Sequence, residues 1–326
     1  MISLYLDRQG TRLGRSGQRL TLHEKDTLLQ EYPIETLGQI LIYGQIQITT
    51  AALTLLLSRG IPTVFLTQRG WLHGHLTASC GGQIQRRRRQ YALLEHPEQA
   101  LPIARRLVAA KLRNQRWLLR VLGIRTASTP LRQAIRSALC APDPASLRGV
   151  EGAAARHYFE GLAQHLAGAP LPFQGRHRRP PTDPVNAMLS LGYTLLLGEL
   201  QTAAMAHGLD PFAGIYHASD GAQPALALDL MEPLRCLVDR LVLRLARHEF
   251  GVADFTTGED GACLLVDGSR GRFYRAWETL LREVVRYRGR HHPYRQVIQA
   301  QVGEWSRYLD DPEHAFRPFL LGDLGH

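Results

Sequence analysis

The sequence predicts an α+β fold, with a small β-rich N-terminal domain joined to a larger all-helical C-terminal domain. Three observations carry this reading. Short apolar segments with period-two character fill residues 1–77. A small, polar, glycine-paired stretch, TASCGGQIQ, follows at 77–85. Beyond it strand signals nearly vanish and a 3.6-residue periodicity takes over. The expected organisation is therefore 1–77 as the β-rich domain, 78–85 as a linker and 86–326 as the helical domain. A chain of 326 residues is long for one core, which favours two domains.

The elements follow in order. Ser3 to Leu6 is strand-like, Gly14 to Gly17 carries turn chemistry, and Arg19 to His23 alternates as a half-buried strand does. Gln39 to Tyr43 ends at Gly44, and Ile46 and Ile48 continue with period two. Thr49 or Thr50 can cap a helix carrying Leu53, Leu56 and Leu57, with Gly60 at its C-terminal end and Pro62 blocking its continuation. Ile61–Leu66 and Trp71–Leu76 complete the strands. Helical periodicity covers 86–123, 144–167, 184–207, 225–249, 270–289 and 294–308. Asp183-Pro184 places a cap before a proline at the first helical position, and Gly208 closes that helix. One hairpin is expected near Phe255 and Leu264–Val266, and a loosely ordered tail beyond Leu309.

Composition narrows the function. The chain is 44% hydrophobic and 21% charged, as globular domains are, with 39 basic against 29 acidic residues and a net charge of +10. Such a surplus favours a polyanionic partner. Nearly all of it is arginine, Lys25 and Lys111 being the exceptions. A GC-rich genome would produce this bias, and guanidinium forks that match phosphate would use it. Cys80, Cys140, Cys236 and Cys263 contain no CxxC pair, against a cysteine-type zinc site or a disulfide scaffold. That usage, the absence of a signal-peptide pattern and the absence of any 18-residue apolar run predict a cytoplasmic protein with no membrane partner.

Two runs of like charge stand out, Arg86 to Arg120 and Arg270 to Arg295. Each can solvate a helix face; together they suggest a phosphate-binding surface. Acidic residues within apolar helices are the second signal. Glu151 lies among alanines and glycines, where it can complement a helix dipole, pair with Arg148 or Arg156, or serve a site. His217 follows a Pro/Gly-rich loop. Asp229 and Glu232 are three apart and project from one helix face, continued by Arg235 and Asp239 as a ladder of ion pairs or as part of a site. Taken together, the carboxylates and the imidazole suit Mg²⁺ or Mn²⁺, and such an ion polarises a phosphoryl oxygen.

At these residues the chain resembles the CRISPR-associated endonuclease/integrase family, the larger catalytic subunit of the spacer-acquisition complex. The resemblance rests on I-P-T-V-F-L after L-L-L-S-R-G, on K-L-R-N-Q-R from Lys111, and on G-V-E-G-A-A-A-R-H-Y-F from Gly149. It continues in R-R-P-P-T-D-P-V-N-A-M-L-S-L-G-Y from Arg178 and in the run from Leu209 through His217 to Arg235. It implies catalytic and metal-holding roles for Glu151, His217 and Glu232, with Asp229 beside them as a ligand or a support. The last ligand is Asp in part of the family and Glu here. It further implies that a DNA 3′-hydroxyl attacks a phosphodiester of a CRISPR repeat. The implied partners are double-stranded DNA, a second copy joined largely through the N-terminal domain, and a small adaptation subunit. Arg176, Arg178, Arg179 and Arg156 are candidate phosphate contacts, and Tyr158 and Asn186 either touch DNA or shape the site. The rival readings are a non-catalytic nucleic-acid-binding subunit and a general metal-dependent repair nuclease.

Overall fold

The computed structural model describes residues 2–68, 72–76, 78, 84–177, 180–217, 223–311 and 313–325. The chain divides into two compact units, 1–80 and 81–326. Residues 79–83 of the expected linker lie outside the described residues.

The N-terminal unit holds β1 (Ile2–Leu6), β2 (Thr11–Ser16), β3 (Arg19–Glu24), β4 (Thr27–Pro33), β5 (Leu37–Tyr43), β6 (Gln47–Ile48), α1 (Thr50–Ser58), β7 (Thr63–Leu66) and β8 (Leu72–Leu76). They form two four-stranded sheets, β1-β5-β7-β8 and β4-β3-β2-β6. In the first, β1, β5 and β7 are parallel and β8 antiparallel. In the second, β2, β3 and β4 form an antiparallel meander and β6 joins in parallel. Leu4, Leu6, Ile40 and Ile42 of one sheet meet Leu13, Leu20 and Leu22 of the other, with Leu55 and Leu56 of α1, in one buried cluster. The Thr49 side chain accepts from Ala52 N–H as the cap of α1, and Gly60 sits at φ +63° just past its end. The turn expected at 14–17 comes later, because β2 runs through Ser16 before Gly17 reverses the chain at φ +57°.

The C-terminal unit holds α2 (Ile84–Glu95), α3 (Pro97–Val121), α4 (Arg125–Leu139), α5 (Pro144–His165), α6 (Pro184–Ala206), α7 (Ala225–Met231), α8 (Arg235–His248), α9 (Asp267–Arg282) and α10 (Tyr294–Asp310). It also carries a small hairpin, β9 (Phe255–Thr257) with β10 (Cys263–Leu265), as expected. A second small sheet departs from the expectation: β11 (Val284–Tyr287) lies between β12 (Arg290–Pro293) and β13 (Leu324–Gly325). The helix expected over 270–289 therefore stops at Arg282. The β-branched pair Val284-Val285 and the turn at Arg288-Gly289, both at positive φ, favour a hairpin there.

Two long helical stretches are broken by proline. Pro97 takes the first position of a new helix, so 86–123 is α2 followed by α3. Pro233 divides 225–249 into α7, a 3-10 turn over Glu232–Leu234, and α8. Helix α4 has no counterpart among the expected elements. It packs between α3 and α5 through buried Ser128, Leu131 and Ala138, a face too sparse in large apolar residues to stand out.

The tail is also firmer than expected. Phe316, Phe319 and Leu321 are buried, and Phe316 packs edge-on against Trp305. Buried Asn114 of α3 donates to the carbonyls of Phe319 (3.0 Å) and Pro233 (2.7 Å), while its Oδ1 accepts from Leu321 N–H at 2.8 Å. One amide thus ties the tail to the turn that carries Glu232.

Candidate active site

Three parts of the C-terminal unit converge. Helix α3 brings Lys111, α5 brings Glu151, and the segment from the 215–217 loop through α7 to α8 brings Tyr216, His217, Asp229, Glu232 and Arg235. The loop is fixed at Gly214: a Cβ there would lie 2.4 Å from the Ala225 carbonyl carbon and 2.6 Å from Leu226 N, so only glycine lets loop and helix approach this closely.

Asp229 organises that loop. Its carboxylate accepts the backbone N–H of Ile215 (2.6 Å), Tyr216 (3.0 Å) and His217 (2.9 Å), and the His217 Nδ1 at 2.7 Å. Both oxygens are thereby engaged, and the side chain is only 1% exposed. A proton held on Nδ1 by a carboxylate leaves Nε2 as the ligand-facing nitrogen. That Nε2 lies 3.7 Å from Glu232 Oε1. The three-residue spacing of Asp229 and Glu232 thus lets one imidazole touch both.

Glu232 is buried among cations. Arg235 Nε donates to its Oε1 at 2.9 Å, and Lys111 Nζ lies 2.6 Å from its Oε2. Burial alone would raise its carboxyl pKa. Arg235, Lys111 and His217 outweigh burial and hold it well below the ordinary carboxylate range. The Lys111 ammonium also donates to Glu151 Oε1, and Tyr216 OH donates to Glu151 Oε2. Burial would lower the Lys111 pKa; Glu232 and Glu151 reverse this and raise it, so it stays charged. His217 behaves alike: burial pulls its pKa down, but the Asp229 hydrogen bond and the charge of Glu232 carry it upward. Glu151 and His217 keep 18% and 30% side-chain exposure, so the site opens to solvent on their side.

Residues 4–279 match the family model for the CRISPR associated protein Cas1. The chain belongs to the Cas1 family. It is 36% identical over 303 residues to a CRISPR-associated endonuclease Cas1 of Thermus thermophilus, covering 92% of this chain and 94% of that one. It is 33% identical over 342 residues to an exonuclease Cas4/endonuclease Cas1 fusion of Geobacter sulfurreducens, covering 98% of this chain but 60% of the fusion. Among solved structures, a Cas1 protein from Thermotoga maritima superposes with a TM-score of 0.85 at 23% identity, covering 99% of both chains. A casposase bound to integration product superposes with a TM-score of 0.85 at 24% identity, covering 97% of this chain and 93% of that one. At these identities the structural likeness speaks for the fold.

Two residues of the site are invisible to local spacing. Lys111 and Tyr216 both touch Glu151, yet 40 and 65 positions separate them from it, and no local spacing reveals such contacts. Spacing alone places Arg235 in an ion-pair ladder. It does pair with Glu232, and it also stacks on the Tyr193 ring at 4.8 Å. Asp239 does not continue that ladder. It is buried and accepts the hydroxyls of Tyr158 (2.6 Å) and Tyr193.

The expected DNA contacts separate into three groups. Arg178 and Arg179 lie outside the described residues. Arg156 is exposed on α5. Tyr158 and Asn186 are buried and spent inside the protein: Asn186 accepts from Arg176 Nη1 and His177 N–H and donates to Gly175 O and Asp183 Oδ2. Arg176 is tied to Asn186 and Ser190, so it braces this loop.

The first arginine run is also partly structural. Arg86 and Arg87 donate to the carbonyls of His207 and Gly208 at the end of α6. Arg89 donates to those of Leu309 and Asp310 at the end of α10. The last carbonyls of a helix lack intrahelical partners and carry partial negative charge, which guanidinium groups satisfy. In the second run, Arg288 and Arg295 bind the buried Glu304 and Glu199.

Among the described residues, no three His, Cys, Asp or Glu side chains already surround a single point as a metal shell. The Lys111 ammonium stands between Glu151 and Glu232. The donor chemistry nevertheless suits a hard divalent cation: Glu151 and Glu232 flank the Lys111 ammonium, and His217 Nε2 lies 3.7 Å from Glu232 Oε1. Glu232 Oε2 is buried against the Lys111 ammonium at 2.6 Å, so a cation already occupies the place between the carboxylates. These residues fit Mg²⁺ or Mn²⁺ once the ammonium shares its place.

Proposed function

We propose that this chain is a metal-dependent DNA endonuclease and integrase that inserts new spacer DNA into a CRISPR array. The observation that carries the reading is the convergence of Glu151, Glu232 and His217 Nε2, with Asp229 orienting the imidazole from behind. The relatives named CRISPR-associated endonuclease support the nuclease chemistry.

Glu151, Glu232 and His217 would hold Mg²⁺ or Mn²⁺. The bound ion would supply Lewis acidity, stabilising negative charge on the phosphodiester and its leaving oxygen. Asp229 keeps the Nδ1 proton and so presents the Nε2 lone pair. Tyr216 and Lys111 hold Glu151 in place, and Arg235 holds Glu232. The attacking group is the 3′-hydroxyl of a DNA end, or water for nicking, and the 3′-oxygen of the cut strand departs. No protein nucleophile is required.

The remaining partners belong to the same proposal. They are double-stranded DNA, a second copy paired through the N-terminal unit, and a small adaptation subunit. A solved chain of this fold belongs to a Cas6-RT-Cas1–Cas2 complex, which supports the last. No described helix is long and apolar enough to cross a membrane.

The test is a joining assay. The protein, with and without the small subunit, is mixed with a short duplex bearing free 3′ ends and a plasmid carrying a repeat, under Mg²⁺, Mn²⁺ or EDTA. Joined products should require the metal and vanish in a Glu151→Ala/His217→Ala variant. Tight binding with neither joining nor cutting under any metal would leave a DNA-binding subunit instead.

A further inference from the structure

Lysine is rare in this chain. Lys111 and Lys25 are the only two among 39 basic residues. Lys111 is 5% exposed, whereas Lys25 lies on the surface. The Lys111 ammonium, a compact point charge on a flexible stem, stands between the two carboxylates of Glu151 and Glu232.

The charges around it are the second observation. Glu151, Asp229 and Glu232 formally bring three negative charges, against the permanent cations of Lys111 and Arg235. With the His217 imidazole neutral, one negative charge is left over. A divalent ion would turn that into one positive charge, opposite in sign to a phosphodiester. Without Lys111, the Glu151 and Glu232 carboxylates would face each other across a largely buried gap, an arrangement that like charges in low dielectric resist.

We propose that Lys111 is a positioning residue that acts as the resident counter-ion of the metal site: its ammonium holds Glu151 and Glu232 together in the metal-free protein, and a divalent cation enters by pushing it aside. This rests on the metal-ion reading above. Lys111 thereby sets the metal affinity, because each ion bound must displace a like charge from its neighbours. It also keeps the metal-free site assembled, which adds to the stability of the metal-free protein.

The scarcity of lysine makes a direct test possible on the full-length wild-type chain. Labelling with ¹³Cε-lysine yields two resonances, assigned with a Lys25→Arg variant. Titration with Mg²⁺ should move the Lys111 resonance and leave that of Lys25, and Glu151→Gln should abolish the movement. In parallel, Mn²⁺ binding is followed by the EPR signal of the free ion. Lys111→Met should bind Mn²⁺ about tenfold tighter or more, since a nearby like charge has been removed, and should melt lower than wild type in EDTA. A Lys111 resonance that stays fixed while Mg²⁺ saturates a Glu151-dependent thermal shift overturns the counter-ion role and leaves the metal site standing. Unchanged or weaker Mn²⁺ binding by Lys111→Met does the same. If no divalent ion gives a Glu151-dependent shift, the metal site and this inference fall together. Should Lys111→Met not fold, the wild-type resonances decide.

Discussion

Asp229 and His217 are joined twice: the carboxylate accepts both the backbone N–H of His217 and its ring Nδ1, at 2.9 and 2.7 Å. The same carboxylate takes the N–H groups of Ile215 and Tyr216, so loop conformation and imidazole orientation depend on one side chain. Asp229→Asn turns an acceptor-only group into one whose Nδ2 confronts backbone donors. Divalent-ion affinity should fall by roughly 10–100-fold, as for other residues that orient a ligand. Stability should drop by about 2 kcal/mol from unpaired buried groups. Mn²⁺ titration and thermal melting check both; unchanged affinity would show that the loop holds its shape without Asp229.

Asn114 links the tail to the Glu232 turn through three hydrogen bonds. Asn114→Leu keeps the branched outline of the side chain, with bulkier methyl groups, but leaves the carbonyls of Pro233 and Phe319 and the Leu321 N–H buried without partners. A loss of about 2–4 kcal/mol is expected, together with faster amide exchange at Leu321. Exchange unchanged at that position would mean that the tail is held by its apolar contacts alone.

Glu304 gathers Arg288 (2.8 Å), Arg307 and His314 (2.8 Å) around a carboxylate that is 1% exposed. Burial alone would raise its pKa, but the bonds from Arg288 and His314 outweigh burial and lower it. A carboxyl with a depressed folded-state pKa contributes stability that is present above its unfolded value, about 4.3, and is lost as pH falls through the folded one. The tail, held by Arg288 to Arg317 O and by His314, should therefore loosen in acid, as followed by the fluorescence of Trp305 against Phe316. Glu304→Gln should lower stability at neutral pH by about 2 kcal/mol and flatten the loss below pH 4. Parallel acid curves for the two proteins would rule this out.

The arginines should differ in what they do for DNA. Arg86 and Arg89 are bound to helix ends, whereas Arg132 and Arg136 stand exposed one turn apart on α4, beside Thr129 and Gln133. Replacing Arg86 or Arg89 by Ala should cost about 1 kcal/mol of stability and leave the salt dependence of DNA binding unchanged. Replacing Arg132 or Arg136 should reduce the slope of log K against log salt by about one each. The reverse pattern would put the phosphate-binding face on α2.

Local rules are sufficient for much of the fold. Asp183 before Pro184, Gly208 after Ala206, Thr49 before α1 and the alternation of β3 each act within a few residues, where backbone hydrogen bonding and φ restriction operate. The three-residue step from Asp229 to Glu232 is of this kind, since one helical turn places both carboxylates near one imidazole. The motifs around Glu151 and His217 carry the resemblance to the Cas1 family, which the family match bears out.

Tertiary packing alone decides the rest. Lys111 reaches Glu151 across 40 positions and Glu232 across 121, and Asn114 reaches Leu321 across 207. The same packing assigns Arg86 and Arg89 to helix ends, Asp239 to two tyrosines and the tail to the core, where composition suggests a DNA surface, an ion-pair ladder and a loose end. The physical reason is that side-chain charge and hydrogen-bonding capacity are properties of the residue, but the partner that uses them is whatever the folded chain brings within about 3 Å. Secondary-structure signals fade within a turn or two, and this pairing is settled only when α3, α5 and the α7–α8 segment close on one another.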